Sequence, residues 1–180
     1  MPLPQVNIYT IEDIHALPEG TRAELIDGQI YYMAPPTRKH QDITGELFGT
    51  IREYIKSKKG TCKPYISPFA VYLDETNLTY VEPDVSVICD RNKLNDRGCV
   101  GAPDWIIEVV SPSTRRADYF TKLFKYRTAG VREYWIVDPD KNRIQVYNFE
   151  HEDTTEYSFS DSIKAGIYED LIIDFTELDI

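Results

Sequence analysis

The alternation of apolar and polar residues first indicates a β-hairpin near the N-terminus. In the run "RAELIDGQIYYM", Asp27 and Gly28 stand between two strand-like segments, and Asp-Gly is a favoured pair for a two-residue hairpin turn. From about Gln41 to Lys58 apolar residues recur at helical spacing, and Gly60 follows as a stop signal. We therefore predict a hairpin followed by a first long helix.

The middle of the chain indicates three strands and a second helix. The segments "YISPFAVYL", "LTYVEPDVSVIC" and "DWIIEVV" are rich in β-branched and aromatic residues. After them, we predict a helix from about Arg116 to Ala129, because four residues in this segment fall on one helical face and Gly130 follows as a stop signal. The four residues are Phe120, Leu123, Phe124 and Arg127.

The last third of the chain predicts more strands. The segments "EYWIVDP" and "RIQVYNF" flank the turn-like "DPDKN", and the remainder indicates one or two strands and a short closing helix. In order, the elements are a hairpin, a helix, three strands, a helix and further strands. This order predicts an α/β (α+β) fold in which helices pack on a mixed sheet, because the faces of a sheet must be covered.

Length and composition predict one globular domain over residues 1–180. The chain is 42% hydrophobic and contains no linker-like tract or internal repeat. No window of about 18 apolar residues occurs, so we expect no membrane association. The N-terminal sequence lacks a secretory signal pattern, which predicts a cytoplasmic protein. Three cysteines without a C-x-x-C pair are expected to be reduced thiols, with neither a disulfide framework nor a zinc site.

The acidic charge is concentrated at one end of the chain. The net charge is −10, and residues 150–180 hold ten acids against one base, Lys164, so that residues 1–149 carry only −1. Strong acidity argues against nucleic acid as a partner, since phosphate contacts need lysine and arginine. A nearly neutral body can nevertheless present a local basic surface, as in "KSKKG" and "STRRADYFTKLFKYR", or merely scattered solvating charge.

Two acids lie inside otherwise apolar, strand-like runs. They are Asp84 in "YVEPDVSVI" and Glu108 in "WIIEVVSP". Burying an unpaired carboxylate is unfavourable by several kcal/mol, so each acid either lies at a wet strand end in a salt bridge or binds a cation. Because no His or Cys cluster accompanies them, the hard oxygen ligands favour Mg²⁺, Mn²⁺ or Ca²⁺ over zinc.

An ordered set of residues resembles the PD-(D/E)XK nuclease superfamily, and within it the Uma-two family of "putative restriction endonucleases". The set begins with Pro83 and Asp84, followed by Glu108 in an apolar strand. Further similarity lies in "AELIDGQI", "PDWIIEVVSPST" and "AGVREYWIVDP", and the resemblance extends from about Ala23 to Ile172. It implies a restriction-endonuclease-like core of order helix, strand, strand, strand, helix, strand behind the N-terminal hairpin.

The resemblance also implies roles for individual residues. Asp84 and Glu108 are expected to hold Mg²⁺, with Mn²⁺ as a substitute, and the carbonyl of Val109 to supply a third oxygen. Val110 stands where the superfamily usually has a lysine, and the resemblance implies that Lys122 of the second helix replaces it. The open alternative for Lys122 is an exposed helical ion pair with Asp118 at i, i+4.

Glu24 and His40 complete the candidate site. Glu24 matches an acid of the family pattern in the first hairpin, where it would complete the shell around the metal or hold a water on the ion. His40 would act as a general base or a phosphate contact, and its alternative is a polar residue near a helix start. Asp27 and Gly28 are explained by the turn alone.

The leading hypothesis is an Mg²⁺-dependent endonuclease that acts on DNA and forms a homodimer, since cutting two strands with one site each favours two-fold symmetry. The alternative is a catalytically silent DNA-binding or protein-interaction module with the same fold, which the valine at position 110 and the overall acidity favour. A third hypothesis is a hydrolase for another phosphodiester, such as a nucleotide or an RNA strand.

Overall fold

The predicted N-terminal hairpin is present in the computed structural model, which describes residues 7–180. A short helix, α1 (Ile11–His15), precedes strands β1 (Ala23–Ile26) and β2 (Gln29–Tyr32). The turn residues Asp27 and Gly28 have φ values of 50° and 73°. Positive φ at both central positions is the geometry that Asp-Gly favours in a two-residue turn, so the predicted hairpin is confirmed.

The first long helix is also confirmed, and it begins three residues before the predicted start. Helix α2 spans Arg38–Ser57. Thr37 precedes it, and its hydroxyl accepts a hydrogen bond from the backbone N–H of His40 at 3.2 Å, which satisfies one of the free donors of the first turn. The residues that α2 buries are Ile43, Thr44, Leu47, Ile51 and Ile55.

The middle of the chain contains seven short strands where three were predicted. Proline explains two of the breaks: Pro68 and Pro83 lie inside the predicted strands, and proline has no N–H to donate to a sheet. The strands are β3 (Lys63–Ile66), β4 (Val71–Tyr72), β5 (Tyr80–Val81), β6 (Val85–Ile88), β7 (Leu94–Asn95), β8 (Gly98–Val100) and β9 (Trp105–Val109).

The second helix forms as predicted, with a π-helical first part. Residues Ala117–Lys122 are π-helical and lead directly into α3 (Leu123–Ala129). The helix ends at Gly130, whose φ of 94° is the left-handed conformation typical of a helix C-terminus. We call the continuous segment 117–129 the site helix.

The C-terminal third consists of strands alone. The predicted hairpin is formed by β10 (Glu133–Asp138) and β11 (Arg143–Asn148), followed by β12 (Asp153–Tyr157), β13 (Ser162–Lys164) and β14 (Ile172–Asp174). The predicted closing helix was wrong: residues 158–180 contain the pair β13 and β14 and no helix. Ile163 and Ile173 are buried between exposed or half-buried neighbours, which is the period of a strand.

Two mixed sheets carry the fold, which confirms the predicted α/β class with a mixed sheet. One sheet has the order β12-β11-β10-β9-β6-β3 and the other β2-β1-β5-β4-β8-β7. Strands β9 and β10 pair in parallel in the first sheet, and β4 and β8 do so in the second. The first sheet packs α2 on one face and the site helix with residues of the second sheet on the other.

Cys62 and Cys89 are joined by a disulfide, which corrects the expectation of reduced thiols. The two residues flank the antiparallel pair of Lys63 and Ile88 in β3 and β6, so strand pairing brings them together although 27 positions separate them. Spacing along the chain could not reveal this pairing. Cys99 is a buried free thiol. Within residues 7–180, no helix has the length and apolar character required to cross a membrane.

Candidate active site

Strand β9 turns the carboxylate of Glu108 away from α2. The alternating side chains Trp105, Ile107 and Val109 pack in the core that includes α2, whereas Ile106 belongs to the core on the opposite face. Glu108 shares that opposite face and is 4% exposed. Its Oε1 accepts hydrogen bonds from Lys122 Nζ at 2.9 Å and from the Tyr126 hydroxyl at 2.8 Å, which supply the partners that a buried charge requires.

Asp84 lies beside Glu108 because β6 and β9 are antiparallel neighbours, with Val85 opposite Ile107. Asp84 Oδ2 accepts the backbone N–H of Val109 at 2.8 Å and lies 3.2 Å from Nε2 of His40. The backbone N–H of Asp84 lies 3.5 Å from Glu108 Oε2. The two acids singled out in the sequence therefore share one site, and the group of Val109 that contacts Asp84 is its amide.

Lys122 reaches the same site from the site helix. It is 3% exposed, and its Nζ lies 2.8 Å from Glu24 Oε2 and 3.6 Å from Asp118 Oδ1, in addition to its contact with Glu108. Asp118 is 1% exposed. The alternative of an exposed ion pair between Asp118 and Lys122 was therefore wrong, because both side chains point into the protein.

Glu24 and His40 complete the group. Glu24 is buried in β1, and its Oε1 accepts the backbone N–H of Glu82 at 2.9 Å. His40 lies in the first turn of α2, and Thr44 is its neighbour one turn later, with Oγ1 3.4 Å from His40 Nδ1. All five predicted site residues line one cavity of about 70 Å³, together with Val109 and Asp118.

The charges in this cavity do not balance. Among residues 7–180, three carboxylates, those of Glu24, Glu108 and Asp118, lie within 3.6 Å of the amine of Lys122, and that of Asp84 lies beside His40. Arg22 also lines the cavity, but its guanidinium is paired with Glu82. Oδ1 of Asp118 is buried and has no hydrogen-bond partner among residues 7–180. A surplus of buried carboxylate charge is unfavourable unless a cation offsets it.

Burial and the neighbouring charges shift the pKa values of these side chains. Burial raises the pKa of Glu108 well above its ordinary value, and the other carboxylates add to the rise, although Lys122 opposes it. Burial likewise raises the pKa of Asp118 to about 6 against the opposing charge of Lys122. Burial would lower the pKa of Lys122, but Glu108, Glu24 and Asp118 outweigh it and raise that pKa well above its ordinary value.

The pKa of His40 is also raised. Its partial burial would lower the imidazole pKa, but the hydrogen bond and the charge of Asp84, together with the backbone of Val109, raise it above the ordinary value. The neighbouring carboxylate therefore favours the protonated form of His40.

The donor set fits a hard divalent cation. Mg²⁺ is commonly held by one or two carboxylates and keeps several waters, and Asp84, Glu108 and the surplus negative charge meet that description. Within residues 7–180, no three side chains of His, Cys, Asp or Glu are grouped as a ready metal-binding set.

Two buried residues of the site escaped the sequence analysis. Asp118 was noted only as a partner for Lys122, and Tyr126 was not singled out. Their signal was present in the spacing: Asp118, Lys122 and Tyr126 follow one another at intervals of four, which places them on one helical face. The apolar face that predicted the helix is the outer one, since Phe120 and Phe124 are 71% and 66% exposed.

Comparisons with known proteins agree with this architecture. The family Uma2, with the description "Putative restriction endonuclease", matches residues 11–170. A protein of Synechocystis sp., "Uncharacterized protein slr1290", is 29% identical over 126 residues, which make up 69% of this chain and 65% of that protein. The match therefore spans slightly less than two thirds of the length of this relative.

A solved structure has the same fold. The crystal structure of "a putative nuclease belonging to DUF820" from Anabaena variabilis superimposes with a TM-score of 0.77, covering 94% of this chain and 96% of that one. The sequence identity is 22%, so this likeness concerns the fold.

Proposed function

Because the chain belongs to the Uma2 family, we propose that it is a metal-dependent nuclease that hydrolyses phosphodiester bonds in DNA. The observation that carries the proposal is the buried group of three carboxylates, those of Glu24, Glu108 and Asp118, around Lys122, with Asp84 beside Glu108 where two neighbouring strands meet. A structural salt bridge would need one acid for one base, whereas this site has a surplus of acids.

Asp84 and Glu108 would hold Mg²⁺, or Mn²⁺ in its place, with the carbonyl of Val109 as a further oxygen ligand. When bound, the ion supplies a nucleophilic water of lowered pKa and positive charge near the phosphate. The protein itself fixes the two carboxylates before substrate arrives. The amide of Val109 and the ring of His40 both hold Oδ2 of Asp84, and Lys122 and Tyr126 hold Oε1 of Glu108.

Lys122 contributes a fixed positive charge at the site. Its raised pKa keeps the amine protonated, and Glu24, Glu108 and Asp118 hold it in position. A preorganised cation of this kind stabilises negative charge that develops during attack on a phosphodiester. Tyr126 orients Glu108 through its hydroxyl and is therefore a positioning residue.

DNA is the substrate that the family description favours, and exposed bases lie next to site residues in the sequence, although none of them lines the cavity. Arg38, Lys39 and Arg116 are exposed and flank His40 and Asp118 along the chain. A homodimer is part of the proposal, because two copies related by a two-fold axis can cut both strands.

A catalytically silent module remains the second candidate. Two features favour it: Val110 stands where the superfamily usually has a lysine, and the net charge is −10. Such a module would bind DNA or protein without hydrolysis, and it would tolerate the loss of Asp84.

The test is hydrolysis of supercoiled plasmid and single-stranded DNA with Mg²⁺ or Mn²⁺. We expect nicking or linearisation that chelator abolishes and that falls at least about 10²-fold in Asp84→Asn, a substitution of nearly equal size. Asp96→Asn, at an exposed position outside the site, is the matched control. Cutting that survives Asp84→Asn would reject the proposed site, and the absence of cutting under every metal condition would favour the silent module.

A further inference from the structure

A second cavity adjoins the carboxylate site. It has a volume of about 320 Å³ and shares Glu24, Met33, Thr114 and Lys122 with the walls of the first cavity. A group bound in this second cavity would therefore lie directly beside the proposed point of hydrolysis. Its volume is at the lower end of the range found for small-molecule sites.

Tyr31 lines the second cavity beside Glu24, which lines both cavities. In the first hairpin, Tyr31 pairs directly with Glu24, and directly paired residues of two antiparallel strands point to the same face of the sheet. The ring of Tyr31 is therefore next to a carboxylate that contacts Lys122. It is 39% exposed, so one side of the ring is open to a ligand.

The other walls of the cavity suit a flat and uncharged group. Four apolar side chains and the exposed ring of Tyr32 line it, and Ser113 and Thr114 add hydroxyl groups that can donate and accept hydrogen bonds. Among residues 7–180, the only basic residue in its walls is Lys122, whose amine is already held by Glu24 and Glu108. A phosphate would find no free cation here. The four apolar residues are Ile30, Met33, Ala34 and Ala117.

We propose that this second cavity binds one unpaired nucleobase, stacked on Tyr31, next to the phosphodiester that the carboxylate site hydrolyses. The inference rests on the proposed nuclease function and narrows its substrate class to nucleic acid that is unpaired beside the scissile phosphodiester, either a single strand or a duplex opened at that point. Base faces inside a duplex are covered by their neighbours, whereas an unpaired base offers its face to an aromatic ring.

The test is the binding of fluorescently labelled strands measured by anisotropy, so that no hydrolysis is needed. The probes are a strand of ten thymidines, an abasic strand of the same length and a blunt duplex. Ca²⁺ is present as a hard cation that takes oxygen ligands and offsets the carboxylate charge, and gels verify that the probes stay intact.

We expect Tyr31→Ala to weaken binding of the thymidine strand by roughly 5- to 100-fold, the range for loss of one base–aromatic stack. Binding of the abasic strand should not change, because it has no base to stack. Tyr31→Phe, which keeps the ring, should bind the thymidine strand like the wild type. Tyr9→Ala is the matched control, since Tyr9 is 37% exposed and lies outside this cavity.

Equal binding of the thymidine strand by the wild type and Tyr31→Ala would overturn the inference. Duplex binding that is as tight and equally dependent on Tyr31 would also overturn it, since the base would then be taken from a pair.

The plasmid assay separates the two proposals. Asp84-dependent hydrolysis together with binding that does not depend on Tyr31 would support the nuclease proposal and reject the base site. Binding that depends on Tyr31 without hydrolysis under any metal condition would leave the base site and remove the nuclease.

Discussion

Helix α2 and the site helix bury different kinds of side chain. Helix α2 buries Leu47 and Ile51 completely and directs most of its charged residues to solvent. The site helix buries the polar side chains of Asp118 and Lys122 and exposes Phe120 and Phe124. One helix therefore follows the usual amphipathic pattern, and the other buries two charged side chains beside Tyr126 while two phenylalanines stay exposed.

The difference between the two helices indicates that α2 mainly stabilises the fold and that the site helix mainly serves the proposed chemistry. Burial of apolar side chains is the main favourable contribution to folding, and α2 provides it against the first sheet. Burial of charged groups contributes at best nothing to folding stability, so stability does not explain the charged inward face of the site helix. Its residues hold Glu24 and Glu108 in one cluster, and the core around α2 stabilises the fold that encloses it.

The strongest test of this comparison removes the amine from the site helix. Lys122→Met should destabilise the protein by about 3 to 5 kcal/mol in urea unfolding, because the buried carboxylates lose their partner. DNA hydrolysis per folded molecule should fall about 10²- to 10³-fold. Lys125→Met is the matched control on the same helix: Lys125 pairs with the exposed Asp27, and its loss should change stability by less than about 1 kcal/mol. Similar results for the two variants would contradict the proposed role of the buried cluster.

The corresponding substitution on α2 should affect stability alone. Leu47→Ala removes a fully buried side chain and should lower the free energy of unfolding by about 2 to 5 kcal/mol. Hydrolysis per folded molecule should stay at the wild-type level, since Leu47 does not line the site cavity. A large loss of rate in a folded Leu47→Ala protein would mean that α2 also serves the chemistry.

A smaller effect should appear in the pH dependence of stability. The pKa of Asp118 is about 6 in the folded protein against an ordinary 3.8, so the folded state binds this proton more tightly than the unfolded state. The contribution of Asp118 to stability is then fully present below about pH 4 and is lost as the pH rises to about 6. Relative to the wild type, Asp118→Asn should gain about 1 to 3 kcal/mol over that interval in chelator.

Urea unfolding at pH 4 to 7 measures this change, and Asp96→Asn, at an exposed position, should follow the wild type throughout. A constant difference between Asp118→Asn and the wild type across the interval would rule out the raised pKa.

The smallest effect is expected on the outer face of the site helix. Phe124 is 66% exposed, so Phe124→Ser should change the free energy of unfolding by no more than about 0.5 kcal/mol. Size-exclusion chromatography of the same variant should match the wild type. A loss above 2 kcal/mol accompanied by a smaller particle would instead indicate that a second copy covers this face.

Much of the candidate site could be predicted from the sequence because its members interrupt strong local patterns. Asp84 and Glu108 each break an apolar run, and the order of these residues with Lys122 resembles a known family. Asp118 and Tyr126 could not be ranked in the same way. Their spacing places them on one helical face, but spacing does not say which face of a helix is buried.

The sequence by itself determined the local elements whose signals lie within a few residues. The Asp-Gly turn fixed the first hairpin, the apolar period fixed α2, and Gly130 fixed the end of the site helix. These outcomes depend on backbone sterics and on hydrogen bonds between near neighbours, which a short segment carries with it.

The tertiary structure alone decided which distant groups meet. Pairing of β3 with β6 joined Cys62 to Cys89, and packing of the site helix on both sheets turned its polar face inward. The reason is that burial is a property of the whole packed chain: a side chain is enclosed only when remote elements cover it, and no local pattern contains those elements. The excess of carboxylates around one lysine, on which the proposed chemistry depends, exists only after that packing is complete.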